Sequence, residues 1–97
     1  MKIASIGDFR RAVHHGPFAW PGGYPCYFIM ADGEALSFEA AKEERRLLLE
    51  ALRDERDGNH PDQSWLPVAL DINWEDGNLI CAHTQARIPS AYAEDGE

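Results

Sequence analysis

The chain has 97 residues, 44% apolar and 27% charged, an ordinary globular composition that excludes a disordered chain and predicts one domain over 1–97 with a modest core. Seventeen acids against nine bases set the net charge at −8, which argues against binding duplex DNA by the whole surface, because phosphate contacts need a cationic face. No apolar run approaches the ~20 residues of a membrane span, and the opening MKIASIGDFRRAV has no apolar signal segment, so Cys26 and Cys81 are expected as buried, reduced thiols of a cytoplasmic protein.

Ser5 is placed to cap a helix over 6–15, with Ile6, Phe9, Ala12 and Val13 on one face and Arg10 and Arg11 turned away. His14 and His15 suit its last turn, and Gly16-Pro17 end it. The stretch GPFAWPGGYP then reads as an irregular loop. Its rings Phe18, Trp20 and Tyr24 predict a loop that folds over the core or forms a contact surface.

A first strand is predicted over 26–31, and Asp32-Gly33 as a two-residue hairpin turn into a short strand over 34–36. Ser37 then caps one long helix over 38–56, whose buried stripe is Ala40, Ala41, Leu47, Leu48, Ala51 and Leu52. Leu49 stands outside that stripe. Gly58-Asn59 end the helix, and 57–64 is a polar loop. A third strand is expected over 65–74, with Pro67 near its start. Val68, Leu70, Ile72 and Trp74 would face the core, and Ala69, Asp71 and Asn73 the solvent. A turn at Asp76-Gly77 or Gly77-Asn78 leads to a fourth strand over 79–82 and a short return at Arg87-Ile88. Residues 90–97 read as a frayed acidic tail. The whole predicts an α+β domain: a small antiparallel sheet of four to five short strands in two hairpins, packed against one long helix and a short N-terminal helix.

Charge is unevenly spread. Residues 1–31 carry Lys2, Arg10 and Arg11 against Asp8 alone, whereas residues 32–97 carry six bases against sixteen acids. A bipolar chain of this kind steers encounters with a cationic partner.

Motifs for chemistry are sparse. Cys81-Ala82-His83 has the spacing of half a zinc knuckle, but no second C-x-x-C or H-x₃₋₅-H completes it. Asp71, Glu75 and Asp76 could imitate a carboxylate pair, yet no nucleophile or base accompanies them at readable spacing. The serines lack an elbow motif, and Gly22-Gly23 lacks the strand–loop–helix setting of a phosphate cradle. No catalytic, metal-binding or cofactor-binding residue is therefore assigned.

The string WPGGYPCYF-x-x-ADGEALSFEAAK, then DINWED-x-L-x-CAHT and IPSAYAED, resembles a group of small bacterial proteins carried by plasmids, prophages and other mobile elements. The resemblance covers roughly 5–95 and transfers no activity to any residue. By setting and size it implies an accessory protein that acts on a host protein, of which inhibitors of CRISPR-type defence nucleases are one kind. The resulting expectation is a non-enzymatic phage or plasmid protein with Phe18, Trp20, Tyr24, Asp71, Glu75 and Asp76 as its partner-binding residues. The partner would be a host protein with a basic surface, met by an acidic face that imitates nucleic acid. The alternative is a small zinc-knuckle-like domain using Cys81 and His83.

Overall fold

The computed structural model describes residues 1–19, 22–74 and 76–91. Helix α1 (Ile6–His15) begins where Ser5 Oγ accepts from the Asp8 N–H at 3.1 Å and stops at Gly16, whose φ of +94° only glycine adopts readily. Phe9 and Ala12 are buried, and Ile6 and Val13 pack against the core.

The sheet is antiparallel and has four strands: β1 (Phe18–Ala19), β2 (Tyr24–Met30), β3 (Ala35–Ser37) and β4 (Pro67–Ile72). The Cys26 N–H donates to Pro17 O and the Met30 N–H to Glu34 O, both at 2.9 Å. Alternate residues of a strand direct their polar groups to the same edge, so β1 and β3 lie end to end along one edge of β2. Strand β4 takes the other edge, pairing Cys26 with Ile72 and Phe28 with Leu70. Beyond β4 the N-terminal residues add an outer rung, with the Ile3 N–H donating to Val68 O at 2.9 Å.

Pleating places Cys26, Phe28 and Met30 on the buried face. There Phe28 meets Phe9 of α1 and Phe38, each at a ring separation of 5.6 Å. The helices cover this face, and one continuous core joins them to the sheet.

Several expectations are corrected. The loop between α1 and the first expected strand contains a hairpin, because Phe18 and Ala19 pair with Pro25 and Tyr24. The turn after β2 has three residues: only Gly33 takes a positive φ, and its N–H donates to Met30 O at 2.9 Å, a turn ending in a left-handed glycine.

The long helix is two helices, α2 (Phe38–Glu43) and α3 (Arg45–Arg56), parted at Glu44. No glycine or proline causes the break. In a straight helix Glu44, three residues after Ala41 and four before Leu48, would lie within the buried stripe, where a carboxylate is costly. The break leaves Glu44 half-buried, with Oε1 3.6 Å from His83 Nε2. Leu48, Ala51 and Leu52 are buried as expected, whereas Leu47 is half-buried and Leu49 packs against the core.

Trp65 closes a short 3₁₀ turn over Gln63–Trp65 instead of starting a strand. An irregularity between Ile29 and Met30 pairs Met30 with Pro67 and skips Val68. Pro67 therefore fills the buried position and Val68 is half-buried. At the other end Asn73 is buried and Trp74 is 45% exposed, the reverse of the expected alternation.

The expected fourth strand and its return are reduced to one bridge, Ile80 with Arg87. Of the tail expected over 90–97, residues 92–97 lie outside the described residues. The Ala91 N–H donates to Asn73 O at 2.8 Å.

Candidate functional site

Residue Asn73 organises the end of the sheet. Its Nδ2 donates to Asp76 O at 3.0 Å and Pro89 O at 3.1 Å, and its Oδ1 accepts from the Asp76 N–H at 3.1 Å. One buried amide thus ties both ends of the 76–89 segment to β4. Within that segment the Ile88 N–H donates to Leu79 O and the Cys81 N–H to Ala86 O, giving a closed loop that buries Cys81 and Ile88.

This loop also caps the outer edge of β3. The Ala82 N–H donates to Ala35 O at 2.8 Å, and Cys81 Sγ accepts from the Ser37 N–H at 3.3 Å. The sulfur stands where a neighbouring strand would offer a carbonyl. Burial pushes the Cys81 thiol up, but hydrogen bonds from Ser37 and Thr84 outweigh it and hold the group at about 7. Cys26, also buried, is shifted the other way, up, by burial and by the Asp71 charge.

The expected contact residues fall in two adjoining places. Phe18 in β1 is 44% exposed and Tyr24 begins β2, half-buried, at the same end of the sheet. Tyr24 lies against Trp74, with ring centroids 4.7 Å apart and planes tilted by 51°. Gly22 permits this arrangement, since a Cβ there would collide with the Tyr24 ring. Trp20 and Glu75 lie outside the described residues.

Asp71 and Asp76 are exposed on the neighbouring part of the sheet. Asp71 pairs across the strands with Tyr27. Burial raises the Tyr27 hydroxyl pKa, and the Asp71 and Asp76 charges raise it further. Tyr24 and Tyr27 stand three apart on β2, so pleating sets them on opposite faces: the acidic part lies on the face of Tyr27, and the Tyr24–Trp74 pair at the end of the other. A groove of about 590 Å³ runs between Phe18, Pro25, Phe38 and Pro89, with Glu39, Glu43, Lys42 and Arg87 among its lining residues.

Sequence reasoning placed Trp74 in the core and overlooked Asn73 and Tyr27. The signal for Trp74 is its position just past the end of β4 and shortly before the 76–79 turn, where the strand leaves the cover of the helices.

Cys81 and His83 do not converge on a common partner. Cys81 Sγ accepts from Ser37, whereas His83 Nε2 faces Glu44 and its ring meets Trp65 edge-on at 5.4 Å. Among the described residues no group of three or more His, Cys, Asp or Glu side chains is placed to hold a metal ion. No helix among them is long and apolar enough to cross a membrane. No family model, curated protein or solved structure matches the chain.

Proposed function

We propose that this chain is a non-enzymatic binding protein that docks a basic protein surface on the aromatic and acidic end of its sheet. The observation that carries the reading is the ring pair Tyr24–Trp74, half-buried at Tyr24 and 45% exposed at Trp74, at the end of the sheet that also bears exposed Phe18, with the exposed acids Asp71 and Asp76 within three residues of Trp74 in the chain. Large rings at the centre of a contact supply most of its energy, and charges beside them supply orientation and speed. The net charge of −8 favours a cationic partner. A host protein whose own ligand is a polyanion fits that description, and the nucleic-acid channel of a defence nuclease of a phage- or plasmid-bearing host is one such surface.

The test begins with capture of host proteins on the immobilised chain, followed by association kinetics of the captured partner at low and moderate salt. Reversing Asp71 and Asp76 to Lys slows association and flattens its salt dependence, because exposed charges act over a screening length of about 8–10 Å. Nucleic acid added as a competitor displaces the chain from a partner held through a polyanion site. A partner whose association ignores both the charge reversal and the salt contradicts the proposal, as does micromolar binding of duplex DNA by the chain itself.

A further inference from the structure

The helices cover one face of the sheet. On the opposite face Tyr27 and Ile29 of β2 stand beside Ala35 of β3 and Ala69 and Asp71 of β4, all brought level by the antiparallel register. The 76–80 segment forms a wall along part of this face, leaving a trough of about 400 Å³ lined by Tyr27, Ile29, Glu34, Asp76, Leu79 and Ile80, among others. That size lies within the range of about 300–1,000 Å³ typical of small-ligand clefts. Ile80 is 49% exposed at its lip.

We propose that this trough is the receptor for an arginine side chain carried on an extended basic segment of the protein partner. The inference rests on the protein-binding reading above and names the chemistry that reading would recognise. Three features support it.

The first is charge complementarity. The trough is lined by the acids Glu34 and Asp76 and by no Lys or Arg, and Asp71 lies beside Tyr27. Among the described residues, none of these three carboxylates is ion-paired with a base. Two bases are brought near by the bridges among the described residues, Lys2 opposite Ala69 and Arg87 opposite Ile80, and neither is among the lining residues.

The second is the lining. Tyr27, Ile29 and Leu79 give the trough an aromatic and apolar lining beside the acids Glu34 and Asp76. A guanidinium is planar, weakly hydrated and able to stack on a ring while it forks toward a carboxylate. An ammonium is compact and strongly hydrated, so it gains less from such a lining.

The third is rigidity. The Asp76 N–H is fixed to Asn73, and Asp76 Oδ1 accepts from the Asn78 N–H at 2.9 Å. The Glu34 N–H is fixed by Asp32 Oδ1 at 2.9 Å, at the end of the Gly33 turn. The backbone carrying both acids is therefore set before a ligand arrives, which lowers the ordering cost of binding.

The test is a ¹H–¹⁵N NMR titration of the whole chain with acetyl-Gly-Arg-Gly-amide, beside the same peptide with lysine or with neutral, isosteric citrulline. The expected result is saturable shifts centred on Tyr27, Ile29, Glu34, Asp76 and Ile80, in the millimolar range. The lysine peptide binds at least threefold more weakly, and the citrulline peptide gives no saturation. The double change Glu34→Gln and Asp76→Asn keeps the acceptor for Asn78 and weakens arginine binding at least fivefold.

Absence of saturation, equal binding of the citrulline peptide, or shifts spread over the acids of α3 overturns the inference. Those readings come from the wild-type chain, so they stand even if the double variant fails to fold. An arginine peptide that bypasses the trough, while Trp74→Ser still weakens the captured partner, removes this site and leaves the protein-binding proposal intact.

Discussion

Replacing Asn73 by Ala is expected to release the 76–91 segment from the sheet. Asn73 is 3% exposed, and the substitution removes three hydrogen bonds of 3.0–3.1 Å: two from Nδ2, to Asp76 O and Pro89 O, and one to Oδ1 from the Asp76 N–H. At a net contribution of about 0.5–1.5 kcal/mol each, the loss is about 3 kcal/mol. A domain of this size has a total stability of about 5–15 kcal/mol, so the melting temperature should fall by roughly 12–24 °C. Thermal and urea unfolding of the two chains give the difference directly. Asn73→Asp separates the hydrogen-bond account from simple loss of volume. It keeps the acceptor for the Asp76 N–H but sets a carboxylate against the carbonyls of Asp76 and Pro89. It should therefore be at least as unstable as the alanine variant near neutrality and should recover part of the gap in acid, where the protonated carboxyl regains a donor. An Asn73→Ala chain within about 0.5 kcal/mol of wild type would refute the reasoning.

Leu48→Ala, at a fully buried position of α3, should cost about 2–5 kcal/mol in urea unfolding; a change of a degree or two in melting temperature would show that the helix presents another face. Cys81 makes stability depend on pH. Its folded value of about 7 lies below the ordinary 9.0, so the contribution of its thiolate is absent below about 7, grows between 7 and 9, and is complete above 9, with a ceiling on the order of 2–3 kcal/mol. Wild type should gain stability over Cys81→Ala across that window, and parallel urea midpoints would contradict the assignment. Glu44→Leu should let α2 and α3 join more regularly and raise the melting temperature, because the charge that parts them is gone; a lower melting temperature would mean that the Glu44–His83 contact outweighs the break.

Local signals carried far in this chain. Ser5, Ser37, Gly16 and Gly58 mark helix ends because a cap or a left-handed glycine is decided by neighbouring residues. The faces of α1 and most of the stripe of α2 and α3 were legible for the same reason. What escaped depends on partners distant in sequence. Glu44 breaks a helix of good local propensity only because the core lies beneath it. Pro67 exchanges places with Val68 because β4 bulges against β2. Asn73 is buried because residues 88 and 89 return to meet it. The candidate site was legible in kind, as rings and acids, but Trp74 and Tyr27 join it through the register of β2 with β4, which no local pattern encodes.

The most direct test of the binding proposal is the rate at which the captured partner leaves the chain. Wild type is compared with Phe18→Ser/Trp74→Ser, both checked for an unchanged fold by circular dichroism. Ring anchors act after encounter, so the proposal predicts dissociation at least ~10-fold faster with association within about twofold. Equal dissociation rates would contradict it.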